Sequence, residues 1–225
     1  MNHHIIVLNL ERSKERKDLL EKQFQNIGLT NYTFFPCFDG KDIINMGFTA
    51  PIIRGSGMGR NLQKTELAII MSHIGALKHA QIMGYENVVI LEDDVTICED
   101  WNERLDDLEI LWRGTVWDYV YLSGHSDYVK FEIHKVPTLI SAPPMVGAFS
   151  YLVNQSGIQK VIKECSEFST TFDDMIMNKI QSKKIIGKVY FPFMTYHSGT
   201  ESLNWNITSP PHTSIKYFKN KINEI

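Results

Sequence analysis

The stretch NVVILEDDV, residues 87–95, runs from an apolar segment directly into three consecutive acids. Residues 88–91 are apolar and three of the four are β-branched, a composition typical of a buried strand. Val95 is apolar again, so the acids do not begin a solvated acidic tail. Adjacent like charges repel one another, and removing them from water is costly unless a partner neutralises them. The stretch therefore raises the question of what neutralises its acids.

A divalent cation is one answer. In open α/β sheets, ligands bind beyond the carboxyl ends of the strands, which is where Glu92, Asp93 and Asp94 are predicted to lie. Carboxylates suit Mg²⁺ or Mn²⁺, and Mg²⁺ usually takes one or two of them together with substrate phosphates. Because alternate side chains of an extended segment share a face, we expect Glu92 and Asp94 to point together and Asp93 to point away. The alternative is a solvated strand end whose acids cap a turn.

Strand and helix patterns alternate around this stretch and predict an α/β fold with a mostly parallel sheet. HIIVLNL (4–10) is a predicted strand, ERSKERKDLLEKQFQNIG (11–28) a helix and YTFFPCF (32–38) a second strand. Residues 65–85 are predicted to form a long buried helix just before the acidic strand. Further predicted helices are 101–112, 155–164 and 172–181; further strands are 118–124, 146–153 and part of 188–199; residues 127–144 are a predicted β-excursion.

Composition is that of an ordinary globular protein. The 225 residues are 43% hydrophobic and 22% charged, which fits one fairly large domain. The net charge of -3 and the lack of a basic stripe disfavour nucleic acid as a partner. Cys37, Cys98 and Cys165 are widely spaced and odd in number, which favours a reducing compartment.

The two ends of the chain bear on location. The apolar run near the N-terminus is too short for a signal peptide or a membrane span, so a cytoplasmic protein is expected, including a viral protein in its host cell. SIKYFKNKINEI (214–225) is a predicted amphipathic helix. It is expected to pack on its own domain, with weak contact to a membrane surface as the alternative.

Several stretches together resemble glycosyltransferase family 25, which includes lipopolysaccharide-building enzymes and collagen galactosyltransferases. Their order and spacing extend the resemblance over nearly the whole chain. They are LNLERSKER (8–16), ELAIIMSHIGALKHA (66–80), VVILEDDV (88–95) and VGAFSYLV (146–153) followed by FDDM (172–175). One departure is that Ala68, Ile69 and Ile70 stand where family members often have Gly-Cys in an E-L-G-C-x-x-S-H segment. That difference indicates packing rather than chemistry at that place.

The resemblance implies a single domain over residues 1–225 with the A-type glycosyltransferase fold, a Rossmann-like sheet covered by helices on both faces. It also implies a metal-binding carboxylate motif of the D-x-D kind, here E-D-D. Asp94 and then Glu92 are the expected ligands of Mn²⁺ or Mg²⁺. His197, in TYHSG, is the candidate third ligand, since enzymes of this fold often use a late His. A structural or exposed His is the alternative.

A second set of residues is expected to contact the nucleotide-sugar. Arg12 is a candidate for the base, ribose or phosphate, with a solvated residue at a helix start as the alternative; Arg16 is a weaker candidate. Ser72 and His73 are polar in an apolar helix, so each is either a donor contact or a satisfied core residue. The full set is Leu8, Asn9, Arg12, Lys64, Glu66, Ser72, His73 and Asp93.

Asp173 and Asp174 are the candidates for the general base. Acids are ordinary at a helix start, where the helix dipole favours them. The resemblance makes one of them the group that takes the proton from the acceptor hydroxyl, and Asp174 is slightly preferred.

The reaction implied is inverting transfer of a hexose from UDP-galactose or UDP-glucose to a hydroxyl of a glycan, lipopolysaccharide or hydroxylysine acceptor. The glycine-rich segment 54–60 is a candidate lid over the donor. The rival functions are another metal-dependent enzyme, such as a nucleotidyltransferase or phosphohydrolase, and a decayed transferase that binds nucleotide or glycan without turnover. A purely structural interaction protein is the third.

Overall fold

The computed structural model describes residues 3–44, 62–126 and 136–197. The strands are β1 (His4–Asn9), β2 (Tyr32–Pro36), β3 (Asn87–Glu92), β4 (Val95–Ile97), β5 (Tyr119–Tyr121), β6 (Thr138–Ser141), β7 (Ser150–Asn154), β8 (Gly187–Phe191) and β9 (Thr195–His197). The helices are α1 (Lys14–Asn26), α2 (Lys64–Met83), α3 (Trp101–Trp112), α4 (Gln155–Glu164) and α5 (Phe172–Gln181), with a short 3₁₀ turn at Asp42–Ile44.

Seven strands form one sheet in the order β2-β1-β3-β7-β5-β8-β6. β1 is parallel to both β2 and β3, and β5 is parallel to β8. β7 is antiparallel to its neighbours β3 and β5, and β6 is antiparallel to β8. The predicted α/β fold with a mostly parallel sheet is therefore confirmed, and β7 crosses its middle in the opposite direction.

Helices cover both faces of the sheet, as predicted. On β1, Ile6 and Leu8 join the cluster that includes α2, α4 and α5, whereas Ile5 and Val7 join the cluster that includes α1 and α3. Alternate side chains of a strand point to opposite faces, so the inner residues of β1 and β3, buried on both faces, are all apolar. This explains the uninterrupted apolar run before the acids.

The helix boundaries follow local signals. Asn154 and Thr171 cap α4 and α5 by accepting backbone N–H bonds, and both helices have the predicted bounds. α1 is shorter than its predicted span of 11–28. The predicted lid at 54–60, the predicted tail helix at 214–225 and residues 127–135 of the β-excursion lie outside the described residues.

β4 and β9 form a separate antiparallel pair beyond the end of β3. The chain turns at Asp93 and Asp94 and enters β4 at Val95, which is paired with His197 of β9. The Met194 N–H donates to the Leu122 carbonyl, which joins the pair to the segment after β5. This two-stranded sheet therefore places His197 close to the turn at Asp93 and Asp94.

No helix within the described ranges is long and apolar enough to cross a membrane.

Candidate active site

The acids lie at the carboxyl end of β3, next to the end of its parallel neighbour β1. The register pairs Leu8 with Glu92, so the residues that follow each strand are neighbours. Asn9 Nδ2 donates to Asp93 Oδ2 at 2.7 Å and to the Ser13 carbonyl at 3.2 Å. Asn9 is therefore held between the acids and the start of α1, where the sequence predicts nucleotide contacts.

Arg16, in the first turns of α1, contacts two of the three acids. Its Nη1 lies 3.0 Å from Asp93 Oδ1 and 3.2 Å from Asp94 Oδ2. The expectation that Asp93 points away from Asp94 is therefore wrong. The cause is that β3 ends at Glu92, so the alternation of a strand does not continue into the turn.

Asp94 and His197 are brought together by the β4–β9 pairing. His197 Nε2 lies 3.5 Å from Asp94 Oδ2. The other oxygen, Asp94 Oδ1, is buried and has no hydrogen-bond partner in the part of the chain that the structure describes. A buried carboxylate oxygen without a donor is costly, and a bound cation is one way to satisfy it.

Glu92, the first of the three acids, contacts a histidine of α2. His73 Nε2 lies 3.3 Å from Glu92 Oε1, and His73 Nδ1 lies 3.1 Å from the Tyr151 hydroxyl. The His73 ring is fully buried and stacks on Phe172 at a centroid distance of 4.3 Å. His73 is thus held by contacts at both ring nitrogens and on one ring face.

The residues fit a divalent cation only in part. Within residues 3–44, 62–126 and 136–197, no three His, Cys, Asp or Glu side chains are grouped so as to hold a metal ion. Of the predicted trio, Asp94 pairs with His197, whereas Glu92 pairs with His73. A pair consisting of one carboxylate and one imidazole, with Asp94 Oδ1 unsatisfied, fits an ion that takes its remaining ligands from substrate phosphates and water.

The pKa values of Glu92 and Asp93 are raised. Partial burial, followed by the charges of Asp94 and Asp93, raises the pKa of Glu92 to about 8. Burial also raises the pKa of Asp93, although the Arg16 and Asn9 hydrogen bonds act in the opposite direction. Raised carboxyl pKa values mean that the charged forms are disfavoured. A cation bound here would lower that cost.

Asp173 and Asp174 differ in their surroundings. Asp173 Oδ1 accepts the Ala148 N–H at 3.0 Å, and burial followed by the charge of Glu92 raises the pKa of Asp173 to about 6. Asp174 Oδ2 instead accepts the hydroxyls of Thr170 at 3.2 Å and Thr171 at 2.9 Å. Asp173 is therefore the one coupled to the acidic site, and Asp174 is tied to the helix start.

The other predicted contacts have defined places, and a substrate role remains a prediction for each. Ser72 Oγ accepts the Phe38 N–H and donates to the Ala68 carbonyl. Glu66 accepts the Gln63 N–H in a capping box at the start of α2. The two remaining predicted contacts are Lys64, which is exposed at the first residue of α2, and Leu8, which is buried in β1.

Arg12 lies away from the acids that Arg16 contacts. Arg12 Nε donates to Asp39 Oδ2, and the Arg12 side chain is 42% exposed. This pair joins the segment before α1 to the loop after β2. Sequence reasoning missed Asp39 and ranked Arg16 below Arg12; the position of Asp39 just beyond a strand end was the available signal.

Comparisons with known proteins show what this chain is similar to. The family model described as Glycosyltransferase family 25 (LPS biosynthesis protein) matches residues 2–177. A protein of Aedes aegypti named "Glycosyltransferase 25 family member" is 26% identical over 179 residues, which are 72% of this chain and 28% of the relative. A Mus musculus protein named "Inactive glycosyltransferase 25 family member 3" is 26% identical over 108 residues, which are 46% of this chain and 18% of the relative.

The chain therefore spans less than a third of the length of these curated relatives. Among solved structures, one is described as that of a glycosyltransferase involved in the glycosylation of the major capsid of PBCV-1. It is 10% identical, with a TM-score of 0.41, and the match covers 81% of this chain and 76% of that chain.

Proposed function

Because the chain belongs to glycosyltransferase family 25, we propose that it transfers a hexose from a UDP-sugar to the hydroxyl group of an acceptor. The observation that carries this proposal is the convergence of Asp94, His197 and Arg16 at the carboxyl end of β3. That is the edge at which open α/β sheets bind nucleotides. A site that combines carboxylates, an arginine and a histidine is suited to bind a diphosphate together with a divalent metal ion.

The metal-binding role falls to Asp94 and His197. Their donor atoms suit Mn²⁺ or Mg²⁺, and Glu92 is the third proposed ligand, directly or through water. When bound, the ion would offset the negative charge that develops on the departing UDP. Asn9 and Asp93 would then hold the nucleotide side of the site, since the hydrogen bond between them fixes both groups at the end of β1.

Asp173 is the proposed general base. Its raised pKa keeps the carboxylate basic enough to take a proton from the acceptor hydroxyl near neutral pH, and it remains ionised above about 6. Attack from the face opposite the leaving UDP would invert the anomeric carbon. Asp174 is the weaker choice because two threonine hydroxyls already bind its carboxylate.

The donor and acceptor are proposed as classes. UDP-galactose and UDP-glucose are the proposed donors, and a glycan, a lipopolysaccharide sugar or a hydroxylysine is the proposed acceptor. The full span 1–225 is proposed to act as one domain, in contact with neither nucleic acid nor, except weakly through the C-terminal tail, a membrane.

A second function, binding without turnover, has a specific observation in its favour. Arg16 already pairs with both Asp93 and Asp94, which supplies positive charge where a metal ion would act. One relative is also named inactive. A chain of this kind would bind UDP or a UDP-sugar but release no UDP from it.

The test is release of UDP from a panel of UDP-sugars, with Mn²⁺ and with chelator, for the wild type and Asp94→Ala. Slow hydrolysis without acceptor is sufficient to detect turnover. The matched control is Asp106→Ala, which removes an exposed carboxylate from α3. We expect metal-dependent release from one UDP-hexose, lost in Asp94→Ala and kept in Asp106→Ala.

Other results would select the rivals. UDP binding without release from any donor would support the binding module. Turnover of nucleoside triphosphates or phosphoesters in place of UDP-sugars would indicate a nucleotidyltransferase or phosphohydrolase. No metal-dependent nucleotide binding at all would contradict the proposal.

A further inference from the structure

Arg16 occupies an unusual position for a residue that only stabilises the fold. One nitrogen, Nη1, lies within hydrogen-bonding distance of both Asp93 and Asp94, and the Arg16 side chain is 16% exposed. It approaches Asp94 at Oδ2, the same oxygen that faces His197. The arginine therefore uses the oxygen that a cation between Asp94 and His197 would need.

The contacts of Arg16 leave Asp94 incompletely satisfied. Asp94 is 7% exposed, and its Oδ1 has no hydrogen-bond partner among the described residues. A guanidinium placed to saturate one carboxylate would commonly bind it through two parallel bonds. Here Nη1 is shared between two acids, and one buried oxygen is left over. The unsatisfied Asp94 Oδ1 is therefore available to a second cation.

We infer that Arg16 is a counter-ion that changes partners: it neutralises Asp93 and Asp94 before a divalent ion binds, and it contacts the diphosphate of the donor afterwards. This inference rests on the proposed function of the same site. Arg16 thus competes with the metal ion while the nucleotide is absent and assists nucleotide binding once the ion is present.

Two opposite effects follow from one charge. A positive group about 3 Å from a carboxylate lowers the affinity of that carboxylate for a second cation, because the two cations repel. The same group stabilises a bound diphosphate, since arginine forms strong charge-assisted hydrogen bonds with phosphate oxygens. Removal of the charge should therefore tighten metal binding and weaken nucleotide binding.

The experiment measures both affinities in the full chain. Mn²⁺ is titrated into nucleotide-free protein and free Mn²⁺ is followed by electron paramagnetic resonance; UDP is then titrated calorimetrically at saturating Mn²⁺. For Arg16→Ala we expect Mn²⁺ to bind about tenfold more tightly and UDP about tenfold more weakly than in the wild type. Arg16→Gln, which keeps a hydrogen-bond donor without the charge, should behave the same way and replaces Arg16→Ala if that variant fails to fold.

Two further variants separate charge from position. Arg16→Lys keeps the charge, so its Mn²⁺ affinity should stay close to that of the wild type. Lys17→Ala removes a positive charge from the adjacent residue, which lies over the Phe34 ring at 4.8 Å. It should change both affinities by less than about twofold, because Lys17 is partly buried against Phe34 and has no ion pair with Asp93 or Asp94 among the described residues.

The outcomes are distinct. If Arg16 only holds the acids in place, both neutral variants will bind Mn²⁺ more weakly, and the inference is overturned. Unchanged UDP affinity in both would also overturn it. If the wild type binds UDP with no dependence on Mn²⁺, the proposed function itself fails, a result visible before any Arg16 variant is compared.

Discussion

His197 Nε2 lies 3.5 Å from Asp94 Oδ2 because β9 pairs with β4 and places His197 opposite Val95, the residue that follows Asp94. The contact between His197 and Asp94 thus depends on the pairing of two strands of only three residues each. The pairing also fixes the distance between the two groups before any ligand binds. Such preorganisation is what a metal site requires of its protein ligands.

His197→Ala should weaken Mn²⁺ binding at least about tenfold, because an imidazole ligand is lost while Asp94 remains. Loss of Mn²⁺ affinity is measured by electron paramagnetic resonance on nucleotide-free protein. His79→Ala, which removes a partly exposed histidine of α2, is the control and should bind Mn²⁺ like the wild type. Equal affinities for wild type and His197→Ala would show that His197 is no ligand.

Asp173→Asn should lower kcat by about 10²- to 10⁴-fold, the usual contribution of a well-placed base. The asparagine can still accept the Ala148 N–H, so the fold should be retained. Asp174→Asn is the matched comparison and should reduce kcat far less. A larger loss in Asp174→Asn than in Asp173→Asn would assign the base to Asp174.

The pH dependence of the wild type tests the same assignment. A carboxylate base works only when ionised, so a pKa of about 6 for Asp173 predicts that kcat/KM falls as pH drops through 6. With an ordinary pKa near 3.8, activity would persist to pH 5. The measurement is kcat/KM for the preferred donor between pH 4.5 and 8, with stability checked at each pH. A profile level down to pH 5 would contradict the prediction.

His73 should make the fold less stable in mild acid. Burial lowers its pKa from 6.5 to about 4, so between these values the unfolded chain binds a proton that the folded chain does not. The stabilisation is present above pH 6.5 and is lost as pH falls toward 4. We expect the unfolding free energy of wild type relative to His73→Asn to drop by about 1–2 kcal/mol from pH 7.5 to pH 5.

Urea unfolding of both proteins at the two pH values measures this difference. His79→Asn serves as the control on the same helix. If the unfolding free energies of the wild type and His73→Asn fall equally from pH 7.5 to pH 5, His73 does not cause the loss of stability in acid.

Tyr151→Phe should destabilise the protein by about 1–3 kcal/mol, because it leaves the buried Nδ1 of His73 without a partner. Tyr119 is the matched control: it is equally buried, and its hydroxyl has no hydrogen-bond partner within the described residues. Tyr119→Phe should therefore be neutral or slightly stabilising. Chemical unfolding measures the stability of both variants. Equal losses of unfolding free energy would show that the hydrogen bond of the Tyr151 hydroxyl does not stabilise the fold.

Much of the fold was predictable because its signals are local. The apolar run before Glu92 identified β3, and the caps at Asn154 and Thr171 set the starts of α4 and α5. β4 and β9 were not predictable as a pair, because three residues carry too little pattern to be distinguished from a loop. Long-range pairing, rather than local sequence, placed His197.

The choice between Arg12 and Arg16 as the residue that contacts the acids also could not be made from local sequence. Both are basic residues close to the end of β1, and spacing alone does not rank them. The helix begins at Lys14, which places Arg16 on the acids and leaves Arg12 in the preceding turn beside Asp39. A shift of two or three residues in a helix start is therefore enough to change which arginine contacts the acids, and a substrate contact by Arg12 stays a prediction.

The strand order has a consequence for where this protein can be shortened. The family match ends at residue 177, whereas β8 begins at Gly187 and lies between β5 and β6. Truncation at residue 177 would remove this interior strand and expose the edges of β5 and β6 that it covers. Exposed strand edges promote aggregation. It would also remove His197. The family match covers residues 2–177, but a fragment that keeps the seven-stranded sheet intact must extend through β8.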